Sequence, residues 1–218
     1  MRNRKPTLLA VVLVLLAPAT LSAQRLEFGA AVWGAGAKAR STYTGGREAL
    51  TGPYLGFDAH VRRGRVGLRL GYGQGSLDAD TAGPAKRDYV DGFLLLSGSP
   101  VTGLDLGVGP YARAYGTDAG TQRWLYWQLR ARYQSEIVIP VVEGYAEVWT
   151  SFTGSVNVSE SFDGARGGTV GVLWTVTRFR GSPVKLRLSY AIDEARLGSG
   201  ARRETVELTT LAIGLGRI

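Results

Sequence analysis

The stretch "RWLYWQLRARYQSE", residues 123–136, decides the fold. Its side chains alternate with period two. Leu125, Trp127, Leu129, Ala131 and Tyr133 fall on one face, and Tyr126, Gln128, Arg130 and Arg132 on the other. Successive side chains of a β-strand point to opposite faces, so this is a long strand with one apolar and one polar side. A helix would repeat its apolar residues every three to four positions, and no segment of the mature chain does so for three turns.

The same alternation recurs nine more times, over about 25–38, 53–62, 65–76, 88–97, 104–115, 143–152, 169–179, 184–192 and 205–217. The composition suits strands, with 31 Gly, 10 Tyr and 5 Trp. Polar stretches such as "RSTYTGGREALTG", "SLDADTAGPAKRD" and "TGSVNVSESFDGARGG" read as long loops, and "RG", "GSPVTG" and "RGSP" as short turns. The least marked turn is "EIVIPVVEG", with only Pro140 to signal it. Long and short connections alternate, so an even strand count puts both termini at one end.

The start of the chain reads as an export signal. "MRNRK" is basic, "LLAVVLVLLA" apolar and "PATLSA" a small-residue exit. Residues 1–23 are assigned to this signal and 24–218 to the barrel domain, with cleavage after Ala19 as the alternative. The formal charge is +8, and without Arg2, Arg4 and Lys5 the remainder is near +5. Its cations are dispersed, which argues against a nucleic-acid tail. Cysteine is absent, so an exported chain must fold without disulfides. No later stretch is long and apolar enough for a membrane helix, so insertion would require a closed barrel.

On these strands the chain resembles the small outer-membrane β-barrel proteins of Gram-negative bacteria. The resemblance rests on pattern and covers nearly all of the mature chain. It implies an all-β, antiparallel up-and-down transmembrane barrel of about ten strands, with eight as the alternative count, in the outer membrane. Aromatics on the apolar face near strand ends (Phe28, Tyr72, Tyr133, Phe152 and Tyr190) fit interfacial girdles. The chain departs from the pattern in ending on Ile218 rather than on an aromatic residue. The rival is a soluble, lipocalin-like barrel with its apolar face inward. The Gly-rich charged face opposes it, because Gly67, Gly71, Gly73, Gly107 and Gly109 suit a crowded lumen better than a solvated sheet.

In "FDAHVRRGRVGLRLGY", residues 57–72, a turn at Arg63-Gly64 would set Asp58 opposite Arg69, His60 opposite Gly67 and Arg62 opposite Arg65. "DAH" at Asp58–His60 and "DAD" at Asp78–Asp80 invite comparison with the omptins, outer-membrane proteases that use Asp–Asp and Asp–His pairs. The expected topology puts the two motifs at opposite ends of the barrel, roughly 30 Å apart. His60 also lies far from the outer leaflet, where a lipid-modifying hydrolase works. Glu143 and Glu147 stand about 13 Å apart along one strand, too far for a glycosidase pair. "GYGQG" precedes no helix that could receive a phosphate. One His without Cys makes no metal cluster. No catalytic, cofactor-binding or metal residue is assigned.

What remains is a lumen ion-pair network of Asp58, Arg69, Asp91, Asp105, Arg113, Arg130, Arg132, Glu143, Glu147, Lys185 and Arg187. The expectation is a non-enzymatic, monomeric barrel with a structural or surface-interaction role. A narrow anion-leaning channel is the first alternative, and a lipid-modifying hydrolase or omptin-like protease the second. Basic loops (Arg40, Arg47, Lys86, Arg87, Arg166, Arg202 and Arg203) have two readings, contact with outer-membrane lipid, lipopolysaccharide phosphates included, or plain solvated charge.

Overall fold

The structure is a computed structural model. It describes residues 26–43, 45–80, 86–117, 120–137, 139 and 141–217. The signal assigned to 1–23 and the C-terminal Ile218 lie outside the described residues. The strands are β1 (Leu26–Tyr43), β2 (Gly46–Arg63), β3 (Val66–Ala79), β4 (Lys86–Val101), β5 (Leu104–Thr117), β6 (Gly120–Glu136), β7 (Val142–Val156), β8 (Phe162–Phe179), β9 (Ser182–Leu197) and β10 (Arg202–Gly216). Each pairs antiparallel with its sequence neighbours, and β1 pairs with β10 to close the barrel. Closure leaves no edge strand to template aggregation.

Register sets the barrel's dimensions. Pair by pair, Phe28 leads through Val61, Leu68, Leu96, Val108, Leu129, Thr150, Arg166, Glu194 and Thr205 back to β1 at Arg40, twelve residues further along. Ten strands with that stagger tilt by about 40° and enclose a cylinder about 20 Å across between backbones. Side chains can fill such a lumen completely.

The faces are those expected. Val32, Leu55 and Val148 are 62%, 63% and 62% exposed, while Arg113, Arg132 and Glu147 are 4%, 6% and 6% exposed. Phe28, Tyr72, Tyr133, Phe152 and Tyr190 also lie on the outside. A protein in water would reverse this pattern. The inversion removes the lipocalin-like alternative and fits a hydrocarbon surround.

Three expectations fail. First, most of the polar stretches read as external loops are strand. Most described residues of "RSTYTGGREALTG" belong to β1 and β2, and most of "TGSVNVSESFDGARGG" to β7 and β8. Above the hydrocarbon band the outer face turns polar, so alternation loses its contrast while the backbone ladder continues. An 18-residue strand at this tilt rises about 45 Å, well beyond an apolar band of about 25 Å.

Second, the β2–β3 turn is Gly64-Arg65, not Arg63-Gly64. Gly64 takes φ +61°, and Arg65 does not share the positive φ. This suits a two-residue hairpin with glycine at its first central position. The shift moves every cross-strand partner by two: His60 faces Arg69, Asp58 faces Gly71 and Arg62 faces Gly67. A slip of two keeps each side chain on its own face, so the hydrophobic pattern cannot detect it.

Third, Arg87 and Arg202 are not loop cations. They point into the barrel, where Arg87 pairs with Glu48 at 3.0 Å and Arg202 with Glu204 at 3.1 Å.

Candidate functional site: the filled lumen

All eleven charged residues expected in the lumen face it. They sort into layers along the axis. The end bearing the first and last described residues is called periplasmic below.

Nearest that end, Asp105 on β5 accepts from Arg62 at 3.3 Å, from Arg217 at 3.0 Å and from Ser99. Glu143 on β7 receives Lys185 at 2.5 Å and the Gln134 amide. A cavity of about 30 Å³ lies among His60, Arg62, Arg69, Asp105, Arg132 and Arg217. That is water-sized. Nε2 of His60 has no hydrogen-bond partner among the described residues.

Above this, Glu147 binds two arginines, Arg69 at 3.0 Å and Arg130 at 2.7 Å. Arg187 donates to Asp58 at 2.7 Å. The guanidinium planes also lie over rings: Arg130 is 4.5 Å from the Phe93 centroid and Arg132 is 4.2 Å from that of Tyr145. Desolvated cation–ring contacts of this kind contribute about 1–2 kcal/mol each. The expected Asp58–Arg69 pair does not form. Arg69 reaches across to β7, and Asp58 to β9.

The mid-lumen is aromatic. Tyr126 stacks on Tyr111 (4.7 Å, 23°), Trp149 (5.6 Å, 12°) and Phe162 (5.7 Å, 15°). Tyr54 packs on Trp33 and Tyr89, each at 5.4 Å, and Tyr89 stacks on Tyr115. Tyr54, Tyr89, Trp124 and Tyr126 are at most 2% exposed. Polar groups thread this layer. Asp91 accepts from Tyr54 at 2.6 Å and Tyr111 at 2.7 Å, while Asp193 accepts from Trp149 Nε1 at 2.9 Å and pairs with Arg113 at 3.8 Å.

Glycines make the room. A Cβ on Gly56 would lie 2.3 Å from Trp33, and one on Gly73 would lie 2.6 Å from both Trp33 and Tyr54. The two glycines are cross-strand partners, so together they form the floor under Trp33. Toward the external mouth, Glu48–Arg87 and Glu204–Arg202 close the stack, and the Tyr115 hydroxyl is shared between Gln122 and Glu204.

Sequence reading missed the aromatic layer as a unit, although period two already set Tyr54, Tyr111, Tyr126 and Trp149 on the polar face. It also missed Asp193, Glu48 and Glu204, which fall where loops were expected. "DAH" and "DAD" do lie at opposite ends. His60 pairs with Arg69 and Asp78 with Thr51, nine residues further up β3, or about 30 Å along the strand.

No protein-family model matches the chain, and no curated protein does. Among solved structures, the outer membrane protease OmpT from Escherichia coli aligns with a TM-score of 0.50 at 10% identity, over 92% of this chain and 99% of that one. The translocator domain of the autotransporter NalP from Neisseria meningitidis aligns at 0.41 and 12%, over 97% and 93%. Neisserial surface protein A aligns at 0.39 and 13%, over 89% and 100%. At these identities the likeness is one of architecture. Ten antiparallel strands closed edge to edge, apolar outside and polar within, give the chain the fold of the Gram-negative outer-membrane β-barrels.

Proposed function

We propose that this protein is a non-enzymatic integral barrel of the outer membrane, exported by its N-terminal segment, monomeric, and non-conducting. Its role is structural, or lies in what its outer and external surfaces bind. One observation carries this reading: the Tyr111–Tyr126–Trp149–Phe162 stack on β5 to β8 belongs to a single buried cluster that draws side chains from all ten strands, between two layers of ion pairs. A hydrated ion has no path through rings packed at van der Waals distance. Planar-bilayer recording of the refolded protein is the test, with no unit steps expected. Steps with anion preference that disappear in Arg130→Ala/Arg132→Ala would overturn the reading.

The second reading is a narrow anion-leaning channel. The cationic ring of Arg62, Arg69, Arg132 and Arg217 at the periplasmic mouth favours it, and the aromatic layer opposes it. A hydrolase would need His60 beside an acid and a substrate path. The acid nearest its cavity, Asp105, is already engaged by Arg62, Arg217 and Ser99. Lipase or protease activity that is lost in His60→Ala would revive that class.

A further inference from the structure

Just above the apolar band, the outer face of β8, β9, β10 and β1 carries a cluster of arginines. On β9 the outward residues run Leu188, Tyr190, Ile192, Glu194, Arg196, so Glu194 follows directly on the lipid-type surface. Glu194 gathers three guanidinium groups: Arg196 at 2.7 Å, Arg166 of β8 at 3.5 Å, and Arg203 of β10. The carboxylate is only 13% exposed, whereas Arg166, Arg196 and Arg203 are 67%, 49% and 57% exposed. One carboxylate under three cations leaves two positive charges uncompensated. Each guanidinium also keeps N–H donors that Glu194 does not use. Beside them, Arg40 donates to Glu207 at 2.9 Å, and the Tyr190 hydroxyl donates to the same carboxylate at 3.2 Å. Lys38 is exposed next to Glu207. Together these residues comprise five cations and two acids.

We infer that the Arg166–Glu194–Arg196–Arg203 cluster, flanked by Arg40, binds the phosphate of a phosphorylated lipid headgroup in the outer leaflet. The inference rests on the membrane reading above. Two features support it. Mutually repelling arginines are held in place by a carboxylate largely covered by them, which pre-organises forked donors suited to phosphate oxygens. The cluster also continues directly from the apolar surface of Ile192 and Val170, which are 44% and 58% exposed. A lipid bound by its phosphate would therefore lay its chains on a surface already made for them.

The test uses the full barrel refolded in detergent, with folding checked for every variant by heat-modifiable gel migration. Binding is titrated with bisphosphorylated lipid A, with dephosphorylated lipid A and with inorganic phosphate. At about a fivefold contribution per arginine, Arg166→Ala/Arg203→Ala should weaken lipid A binding about 30-fold. The control Arg123→Ala/Arg178→Ala, which removes exposed cations on β6 and at the periplasmic end of β8, should bind as wild type. Dephosphorylated lipid A should bind as weakly as the double variant, and inorganic phosphate should displace lipid A only in large excess. The site is overturned if the cluster variant binds within threefold of wild type, if the control loses as much, if the phosphates make no difference, or if inorganic phosphate competes mole for mole. A folded barrel that fails these comparisons overturns the site alone. A wild-type chain without heat-modifiable migration overturns the membrane reading and the site with it.

Discussion

Arg69 and Glu147 meet across the lumen at 3.0 Å, from strands β3 and β7, although 78 residues separate them in the chain. Glu147 holds Arg130 with its other oxygen, so one buried carboxylate serves two cations. Glu147→Ala should therefore destabilise the barrel by about 3–5 kcal/mol, because it leaves two arginines in the lumen without their shared counter-ion. Urea titration of the vesicle-folded protein measures this. The triple change Arg69→Met/Arg130→Met/Glu147→Leu should recover most of the loss, since replacing a whole buried ion cluster by apolar groups is often neutral or better.

A double-mutant cycle should separate the observed register from the one expected from sequence. Asp58 and Arg187 should show a coupling of about 1 kcal/mol, discounted for their partial exposure to the lumen water. Asp58 and Arg69, which would be neighbours with the turn at Arg63-Gly64, should be coupled by much less. The reverse ranking would place the β2–β3 turn one residue earlier.

Removing the aromatic layer should open the barrel. The triple variant Tyr111→Ala/Tyr126→Ala/Trp149→Ala deletes the central stack and should give unit conductance where the wild type gives none. Each truncation alone should cost about 3–5 kcal/mol. Single variants are therefore read first by gel migration, and the triple variant at reduced temperature. A folded triple variant that stays silent would locate the seal in the ion-pair layers instead.

Gly56→Ala should destabilise by about 1–3 kcal/mol, because its Cβ would meet both Trp33 and the Tyr72 carbonyl. Trp33→Leu in the same background should relieve only the part due to the ring. Gly36→Ala, on β1 with open space at its Cβ, is the control and should change stability by less than about 0.5 kcal/mol.

Much of this architecture was legible in the chain. Alternation at 123–136 and its repeats identified ten strands, which face of each is apolar, and eleven of the charged residues that enter the lumen. Period two is a property of the strand backbone and needs no partner to be read. Pair identity was not legible. Asp58 could be placed inside, but whether it meets Arg69 or Arg187 depends on a hairpin slip of two residues, which changes no face. It depends also on a twelve-residue stagger at closure, which brings β2 level with β9 across the lumen. Strand length was likewise hidden at Glu48, Asp193 and Glu204. Beyond the lipid band, water and hydrocarbon no longer label the two faces differently. The residues thus dictate a barrel with a charged interior, and closure of that barrel selects which charge meets which, because contacts across a lumen lie between strands that are far apart in the chain.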